Sequence, residues 1–535
     1  MDSRSTARTL AALTLFLCAP LAAQADDLML RVRQTQSGGS AQYTIEHAQT
    51  GSFAHQVPLP DAQDGDLIAI GRDAAGRELF RSSVRNPGLR NAEVFDPATG
   101  AIVTARKIVQ PEAVVEMRMP NAPNLATIDL VEHHPATRSD RLQAAPQPLR
   151  RLARQELDAL IGQSGREGVR AKAAIVPTGS AMLWQTGASA SRMDLVIIGD
   201  GYASADQAKW RTDAQAVVNG LLADPLFDRY KNSMNIRRVD IVSPQSGVSE
   251  NFGAIARQTA LGTVVGCFGL DRLVCADNTL VANAVAAVTP VDGRDVVVLV
   301  ANSGTYGGSG APAYAALTMH PQSIEIALHE IGHTAFQLAD EYDVGTCNTP
   351  SEPTEADVTL QSNGAWAKWS PLIKTGTVTP TQPGWYANGT VGLFDGGKYC
   401  PHGVYRPTEN SRMRTLGQPW HGVNELRADF VFNYYHPGIS VNGNLAAGAT
   451  AYLPSSAYHA TVGGTFRATL SAPSGSQFDM DLMWWNGSAW QSIAQAPDTG
   501  TSKILSFGAG AGYYLLKVTA RSGSGAYNVV YNFPN

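Results

Sequence analysis

The run His329-Glu330-Ile331-Gly332-His333 constrains what this chain can fold into more than any other stretch. Side chains four residues apart lie on one face of an α-helix, one turn apart, so both imidazoles can reach a single metal ion. The neighbouring apolar residues recur at helical spacing, which predicts an amphipathic helix. They are Ile324, Leu328, Ile331, Ala335 and Leu338.

The residue types in this run are those of a hydrolytic zinc site. Neutral His329 and His333 would bind Zn²⁺ and leave a position open for water, whose pKa zinc lowers to about 7. Glu330 is poorly aimed to ligate beside them and is instead the candidate general base, which passes the proton to a leaving amine. The alternative is a helix with two surface histidines and a structural glutamate. With 11 His in 535 residues, however, the motif is rare by chance.

A third protein ligand has to come from the residues after the helix. In zinc peptidases with a sharp turn at this point, the third ligand falls at the position that Ala339 occupies here, and alanine cannot ligate. Asp340 is the favoured third ligand and Glu341 the alternative, because zinc accepts a carboxylate in place of an imidazole. The other interpretation is that this acidic cluster caps a helix end or binds Ca²⁺ as a structural ion.

Residues 1–25 have the pattern of a secretory signal peptide. Arg4 and Arg8 form a charged start, an apolar segment from Leu10 to Leu21 follows, and Ala23-Gln24-Ala25 resembles a cleavage site. This leader predicts a secreted or periplasmic protein. No later segment is apolar enough to insert in a membrane. The formal net charge of −5 argues against nucleic acid as a partner, so a protein or peptide substrate is expected.

Four cysteines remain after the leader: Cys267, Cys275, Cys347 and Cys400. An even number in an exported protein predicts disulfides, and four cysteines allow three pairings. We favour Cys267–Cys275, which closes a short loop, together with Cys347–Cys400, which closes a long one. The chain has no C-x-x-C pair, which disfavours a cysteine-rich zinc site.

Patterning after the leader divides the chain into four parts. Short alternating strands in residues 26–135 predict an N-terminal β-sandwich. Residues 136–178 follow as a linker, with a basic helix predicted at 149–161. Strands alternate with helices in residues 179–437, which predicts an α/β catalytic domain. Strand patterns return in residues 438–535 and predict a C-terminal β-sandwich.

A glycine-rich run occupies residues 304–310, directly after a predicted strand. It lacks the lysine of a P-loop and the spacing of a dinucleotide-binding loop. We therefore interpret it as a flexible connection at the edge of a substrate cleft rather than a phosphate site.

Further motifs accompany the histidine run: Asp200-Gly201-Tyr202 after an apolar strand, Ala339-Asp340-Glu341-Tyr342 after the helix, and Tyr405-Arg406-Pro407 before Asn410-Ser411-Arg412-Met413. Together they resemble the IgA-peptidase family of secreted zinc metallopeptidases over residues 180–437. The strand-rich region before them is similar to the N-terminal domain of that family. The resemblance implies a zincin-like, metzincin-like catalytic domain that hydrolyses peptide bonds. It does not imply cleavage of immunoglobulin.

The resemblance also bears on three residues outside the histidine run. Met413 resembles the methionine of a turn that packs beneath the metal in related zinc peptidases, with an ordinary core position as the alternative. Tyr405 would stabilise the oxyanion by hydrogen bonding, or serve only as a packing aromatic. Phe336 stands where relatives often carry glycine, so the turn leading to Asp340 is expected to be shaped differently.

Residues 438–535 resemble the bacterial pre-peptidase C-terminal domain, a β-sandwich attached to exported proteases. Asp479 and Asp481 share one face of a predicted strand there. They offer a second candidate site for Ca²⁺, with solvated carboxylates as the alternative interpretation.

These observations favour a secreted zinc metalloendopeptidase, a hydrolase in which Glu330 is the general base. The alternative is a catalytically silent, metal-stabilised binding protein at the cell surface or outside the cell. Glu330 separates the two hypotheses, because a purely structural site has no use for a base beside its ligands. A third option is zinc-dependent hydrolysis of a non-protein amide.

Overall fold

The computed structural model describes residues 27–37, 40–51, 57, 59, 63, 65–134, 148–167, 177–436, 438–454, 458–473, 475–496 and 502–533. The predicted signal peptide lies outside these residues, and so does much of the predicted linker. The described residues form several β-sheets and a few helices. The prediction of β-rich segments on both sides of a mixed α/β region is confirmed at this coarse level.

The N-terminal region contains strands β1 to β9 and helix α1. Their bounds are β1 Asp27–Ser37, β2 Ser40–Gly51, β3 Leu67–Arg72, β4 Glu78–Val84, β5 Leu89–Phe95, β6 Ile102–Val109, β7 Glu112–Pro120, β8 Thr127–Glu132, β9 Arg150–Ala153 and α1 Arg154–Glu167. Two small sheets, with the orders β2-β1-β7 and β4-β3-β8-β9, share one apolar core that includes Leu30, Leu67 and Met117. Among the described strands, β5 and β6 pair with each other alone and form a separate antiparallel hairpin.

The basic helix of the predicted linker begins later than expected. Residues 150–153 form β9, which pairs antiparallel with β8, and the helix runs over Arg154–Glu167. Leu152 and Leu157 are buried in the N-terminal core. Leu152 is buried between exposed Arg151 and Ala153, and a segment this short cannot be separated from a helix with a basic face by its pattern.

The central region contains β10 to β19 and α2 to α6. Their bounds are β10 Gly179–Trp184, β11 Met193–Asp200, α2 Gln207–Ala223, α3 Pro225–Tyr230, β12 Met234–Asp240, β13 Val264–Val265, β14 Val274–Cys275, α4 Asn278–Ala286, β15 Val296–Ala301, β16 Gly308–Ala311, β17 Tyr314–Thr318, α5 Ser323–Thr334, β18 Phe394–Gly397, β19 Cys400–Arg406 and α6 His421–Tyr435.

A six-stranded mixed sheet organises this region, with the order β10-β12-β11-β15-β17-β16. Its middle strands are parallel, and every residue of β11 is buried. Leu195 packs into a core with residues of α2, α5 and α6, whereas Val196 packs on the opposite face with residues of α4. Helices on both faces explain why β11 is a continuous apolar run rather than an alternating one.

Strand β16 is the outer strand of this sheet and runs antiparallel to β17. It covers Gly308–Ala311, so the interpretation of residues 304–310 as a purely flexible connection was wrong at its end. Glycine and serine have low strand propensity, and pairing with β17 overrides it. Helix α5 follows β17 and packs against both of these strands.

Ion pairs connect the N-terminal region with the central sheet. Arg118 on β7 donates to Asp295 Oδ1 at 2.7 Å, and both side chains are almost fully buried. Next to this pair, Arg294 donates to the two carboxylate oxygens of Glu116 at 2.7 and 3.0 Å. The two regions are therefore joined by polar contacts with little solvent access.

The C-terminal region contains β20 to β26. Their bounds are β20 Ile439–Leu445, β21 Thr450–Leu453, β22 His459–Ser471, β23 Gln477–Trp485, β24 Trp490–Gln495, β25 Ser502–Ser522 and β26 Gly525–Asn532. The long β25 pairs with β22 along its first half and with β23 along its second half. Side chains of the two partner strands, such as Phe466 on β22 and Met480 on β23, meet in one core. The strands thus form a single connected sheet that closes over its own apolar side.

Both favoured disulfides are present in the structure, Cys267–Cys275 and Cys347–Cys400, which confirms the predicted pairing. The first closes the short connection between β13 and β14. The second ties the segment after α5 to the start of β19. Within the described part of the chain, none of the helices has the length and apolarity that crossing a bilayer requires.

The Arg118–Asp295 pair generates a stability prediction. Replacing one partner of a buried ion pair leaves the other charge buried and uncompensated, so Arg118→Met should lower the free energy of unfolding by about 3–5 kcal/mol. Arg81→Met is the matched control, because Arg81 pairs with Glu78 at the surface, and should cost less than about 1 kcal/mol. Urea unfolding followed by tryptophan fluorescence measures both. Equal effects of the two substitutions would contradict the role of the buried pair.

Candidate metal centre

Helix α5 brings the two predicted histidines together. The Nε2 atoms of His329 and His333 lie 3.1 Å apart. His329 Nδ1 lies 2.9 Å from the carbonyl oxygen of Arg412, and His333 Nδ1 lies 2.8 Å from that of Leu338. A carbonyl oxygen only accepts, so in each neutral ring Nδ1 carries the proton and Nε2 presents a lone pair. Both rings are therefore held in the tautomer and orientation that a metal ligand needs.

The chain reverses direction after α5 and returns Asp340 to the same place. The apolar repeat predicted a helix as far as Leu338, but α5 ends at Thr334. Gln337 adopts a left-handed φ of 57°, a conformation usual for glycine at a helix end. Leu338 N donates back to Gly332 O at 3.1 Å, which closes the turn. Asp340 Oδ1 then lies 3.1 Å from His333 Nε2.

Phe336, the departure from the family pattern, does not prevent this turn. Its side chain is fully buried and packs against Phe227, Trp420 and Phe432. The left-handed conformation falls on the next residue, Gln337, instead. The turn is thus built around a buried ring and brings Asp340 to the histidines.

A fourth donor comes from a residue that the sequence reasoning missed. Glu93 lies on β5 of the N-terminal hairpin, and its Oε2 is 3.3 Å from His329 Nε2. The donor atoms of Glu93, His329, His333 and Asp340 all lie within 4.8 Å of one another. No local spacing connects Glu93 with the histidine run, and β5 was not among the predicted strands. Only the folded chain shows this contact.

The donor set fits zinc. His329 Nε2, His333 Nε2 and Asp340 Oδ1 form a triangle with sides of 3.1, 3.1 and 3.3 Å. Zinc–ligand bonds of about 2.0–2.1 Å in a tetrahedron place neighbouring ligand atoms about 3.3 Å apart. Two imidazoles and two carboxylates also balance the charge of a divalent cation. Calcium prefers six to eight oxygen ligands, so the imidazoles do not suit it.

The second candidate calcium site carries its own counter-ions. Asp479 accepts from Lys503 Nζ at 3.2 Å and also pairs with Arg521. Asp481 accepts from Ser492 Oγ at 3.1 Å. The cationic partners of Asp479 leave little negative charge for a calcium ion. Neither candidate position therefore supports Ca²⁺.

The pKa values of the donor residues indicate that, without a cation, bound protons balance the buried carboxylates. Burial lowers the pKa of His329, but contacts with Asp340 and Glu93 outweigh it and raise that pKa to about 10. Burial likewise lowers the pKa of His333, and the Asp340 carboxylate raises it well above the usual value. Burial raises the pKa of Asp340, but the imidazoles outweigh it and hold that pKa well below its usual range. A divalent cation would displace these protons.

Glu330 lies beside the donors without belonging to them. Its side chain is fully buried, and neither carboxylate oxygen has a hydrogen-bond partner among the described residues. Burial, with the negative charge of Glu93, raises its pKa to about 8. The carboxylate lies against the backbone of β16, since a Cβ built at Gly310 would fall 1.8 Å from Glu330 Oε2. A buried carboxylate without partners is costly unless something else binds there.

Met413 lies beneath the histidine helix. It is fully buried, and a Cβ built at Gly332 would fall 2.6 Å from its sulfur, so glycine permits their close contact. The carbonyl oxygen of Met413 accepts from Glu341 N at 2.8 Å. The preceding residue, Arg412, supplies the carbonyl that orients His329. The turn at residues 411–413 therefore packs against α5 and supplies the carbonyl oxygen that orients His329.

Glu341, the alternative third ligand, points elsewhere. Its carboxylate accepts from Ser411 Oγ at 2.8 Å and from Asn424 Nδ2 at 3.0 Å. Burial raises its pKa to about 7. Its carboxylate is absent from the described cluster of metal-donor groups. Glu341 instead ties the Met413 turn to α6.

The tyrosine at the site is Tyr399 rather than Tyr405. Tyr399 donates from its hydroxyl to Asp340 Oδ2 at 2.5 Å. The Tyr405 side chain packs against an apolar cluster that includes Trp369 and Leu393. In the described residues we find no contact between Tyr405 and the donors. Tyr399 orients the carboxylate of Asp340 and leaves Oδ1 directed at the histidines.

The site is enclosed. His329, Glu330 and Asp340 are buried, and the side chain of His333 is 13% exposed. A cavity of about 360 Å³ lies next to them, with Glu330, His333 and Asp340 in one wall and N-terminal residues such as Lys107 in the other. The N-terminal region therefore forms part of the site.

The contact between Tyr399 and Asp340 generates a prediction about metal affinity. Groups that hydrogen-bond to a metal ligand fix its orientation, and their loss typically weakens binding by about 10–100-fold. Tyr399→Phe should therefore raise the zinc dissociation constant by about tenfold or more, measured by competition with a chelator. Tyr386→Phe removes a hydroxyl that bonds the backbone at the surface and should leave it unchanged. Unchanged zinc affinity in Tyr399→Phe would contradict this role.

The contact between Gly310 and Glu330 generates a second prediction. A methyl group at Gly310 would collide with the Glu330 carboxylate, so Gly310→Ala should destabilise the protein by about 1–3 kcal/mol. Gly304→Ala is the control, since a Cβ there meets no atom within 4 Å, and its effect should stay within about 0.5 kcal/mol. Urea unfolding compares the two variants. Equal stability of both would show that Glu330 does not lie against β16.

Comparison with known proteins supports the resemblance drawn from the motifs. Residues 181–388 match the family model described as IgA Peptidase M64. Solved structures similar to this chain include the pre-peptidase C-terminal domain of a collagenase from Bacillus anthracis, at 17% identity and a TM-score of 0.15, covering 18% of this chain and 89% of that one. Another is the Yersinia pseudotuberculosis-derived mitogen, at 15% identity and a TM-score of 0.16, covering 18% and 86%. At these TM-scores neither structure supports an argument. Over residues 181–388 the chain matches the IgA peptidase M64 family, which implies a metallopeptidase.

Proposed function

We propose that this chain is a zinc-dependent endopeptidase with a zincin-like, metzincin-like catalytic domain in residues 179–437. One observation carries the proposal. His329, His333 and Asp340 converge with the spacing of zinc ligands, directly beside the buried, unpartnered carboxylate of Glu330. The family match over residues 181–388 supports the same class of activity.

His329, His333 and Asp340 are the residues that hold the zinc ion. When bound, zinc supplies Lewis acidity, which polarises the scissile carbonyl and makes water a nucleophile near neutral pH. The carbonyl oxygens of Arg412 and Leu338 keep both rings aimed at the ion. These contacts fix the ligand geometry before the substrate arrives, which lowers the cost of reaching the transition state.

Glu330 moves the proton. Its carboxylate accepts a proton from the attacking water as the water oxygen bonds to the substrate carbonyl carbon. It then donates that proton to the amide nitrogen as the C–N bond breaks, so one water is consumed and a carboxylate and an amine are released. Its buried position beside the donors allows one carboxylate both to take and to give the proton.

We also propose export of the chain, to the periplasm or to the medium. The signal-peptide pattern of residues 1–25 is one support. The two disulfides are another, since such bonds persist in oxidising compartments. The substrate on this proposal is a protein or peptide outside the cytosol, and the immunoglobulin in the family's name is not carried over to this chain.

A metal-stabilised protein without catalysis is the second candidate function, and Glu93 is the observation that favours it. Four protein ligands with no open position are typical of a structural zinc site, and Glu93 supplies the fourth donor here. Glu330 favours the peptidase, because a structural site gains nothing from a further buried carboxylate without a partner.

Glu330→Gln tests the proposed function. The substitution keeps the shape of the side chain and removes the base, so hydrolysis of casein by the zinc-loaded protein should fall by about 10²–10⁴-fold. Zinc content, measured by elemental analysis, should stay the same. Glu425→Gln is the control, since Glu425 lies on α6 and pairs with Arg229 of α3, away from the donors. Equal rates for wild type and Glu330→Gln would contradict the general-base role.

A further inference from the structure

We propose that the hairpin formed by β5 and β6 is an autoinhibitory segment. Its Glu93 takes the fourth position around the metal and keeps the site latent until the hairpin is displaced. The inference rests on the proposed function, because it concerns regulation of the same site. It assigns to the N-terminal region a role that goes beyond supporting the fold.

Glu93 is aimed at the donors, and the hydroxyl of Tyr342 is another polar group close to its carboxylate. Its side chain is buried, and neither carboxylate oxygen has a hydrogen-bond partner among the described residues. Its Oε2 lies 3.3 Å from His329 Nε2, the atom that faces the metal position. An isolated buried carboxylate costs several kcal/mol. A cation shared with His329 offsets that cost, so the placement of Glu93 is favourable once metal is bound.

The hairpin also occupies the side of the sheet that a substrate would need. Strand β16 is the outer strand, and an extended peptide can add to such an edge through backbone hydrogen bonds. Strand β5 packs against β16 at this edge. Arg90 on β5 is fully buried and donates to Ser309 Oγ at 3.1 Å and to Val274 O at 2.9 Å. The hairpin therefore lies where a bound polypeptide would run.

Further contacts hold the hairpin over the metal centre. Phe95 packs edge-on against the ring of His329, with centroids 5.0 Å apart. At the hairpin loop, Gly100 O accepts from Leu416 N at 2.9 Å, and Pro97 O accepts from Gln322 at 2.5 Å. The segment thus touches both the Met413 turn and the start of α5. A polypeptide cannot reach His329 while these contacts persist, because its side chain is fully buried.

The N-terminal region is attached to the central sheet through polar contacts of β7, and the hairpin itself packs Phe95 into an apolar cluster with Tyr306 and Ile326. The contacts of β7 with the central sheet include ion pairs and hydrogen bonds, such as Arg118–Asp295 and Arg294–Glu116. Polar interfaces within a chain resemble those of transient complexes, for which relative motion is the usual expectation. Activity of the wild type then comes from the molecules in which the hairpin has moved away.

Glu93→Ala separates this inference from a purely structural role. The variant removes one ligand, so the zinc dissociation constant, measured by chelator competition, should rise about tenfold or more. It also opens the fourth position, so acetohydroxamate should bind the zinc-saturated variant at least about tenfold more tightly than wild type. A short peptide substrate should be hydrolysed faster by the same variant at saturating zinc.

Two further variants serve as controls for Glu93→Ala. Glu78→Ala removes a surface glutamate of the same region, paired only with Arg81 in the described contacts, and should change nothing. Glu93→Gln keeps the side-chain volume, and should show the same directions of change if the alanine variant fails to fold. Unchanged affinity for both zinc and acetohydroxamate in the Glu93 variants would overturn the inference.

The proposed function is tested separately by adding Glu330→Gln to Glu93→Ala. If the double variant loses hydrolysis and keeps the altered zinc and acetohydroxamate affinities, both proposals are supported. If no variant hydrolyses peptide while those affinities still change, the peptidase proposal fails and Glu93 remains a ligand. If wild type and Glu93→Ala hydrolyse equally with equal affinities, and Glu330→Gln abolishes hydrolysis, the peptidase proposal stands and the autoinhibitory one fails.

Discussion

Two hydrogen bonds from imidazole to backbone underlie the whole site. His329 and His333 each donate from Nδ1 to a carbonyl oxygen, of Arg412 and of Leu338, and these bonds turn the two Nε2 atoms towards each other. One carbonyl belongs to the turn beneath the helix and the other to the turn after it. Both turns must therefore be in place before the histidines can share an ion.

The helix and the position of Asp340 after it were accessible from the sequence because their determinants are local. The spacing of His329 and His333 fixes them on one helical face, and Asp340 follows within a short segment. Even the replacement of the usual glycine by Phe336 left the turn intact, because Gln337 accepts the left-handed conformation. The strand at residues 308–311 was not predicted, because its glycine-rich sequence has a low strand propensity. Its pairing with β17 outweighs that propensity.

Residues contributed from distant parts of the chain could not be found this way. Glu93 and Tyr399 each complete the site through contacts that depend on how separate regions pack, and no spacing in the sequence encodes that packing. The motif indicated Tyr405 as the tyrosine at the site, and the structure places its side chain in an apolar cluster instead. A single charged residue on a short strand, such as Glu93, does not indicate a metal site until its burial is known.

The central claim is that His329, His333 and Asp340 bind one zinc ion together. Anomalous X-ray scattering at the zinc edge, from crystals of the zinc-loaded protein, tests it most directly. The account predicts one peak at about 2.0–2.2 Å from His329 Nε2, His333 Nε2 and Asp340 Oδ1. A peak that is not bonded to both imidazoles, or no peak at all, would contradict it.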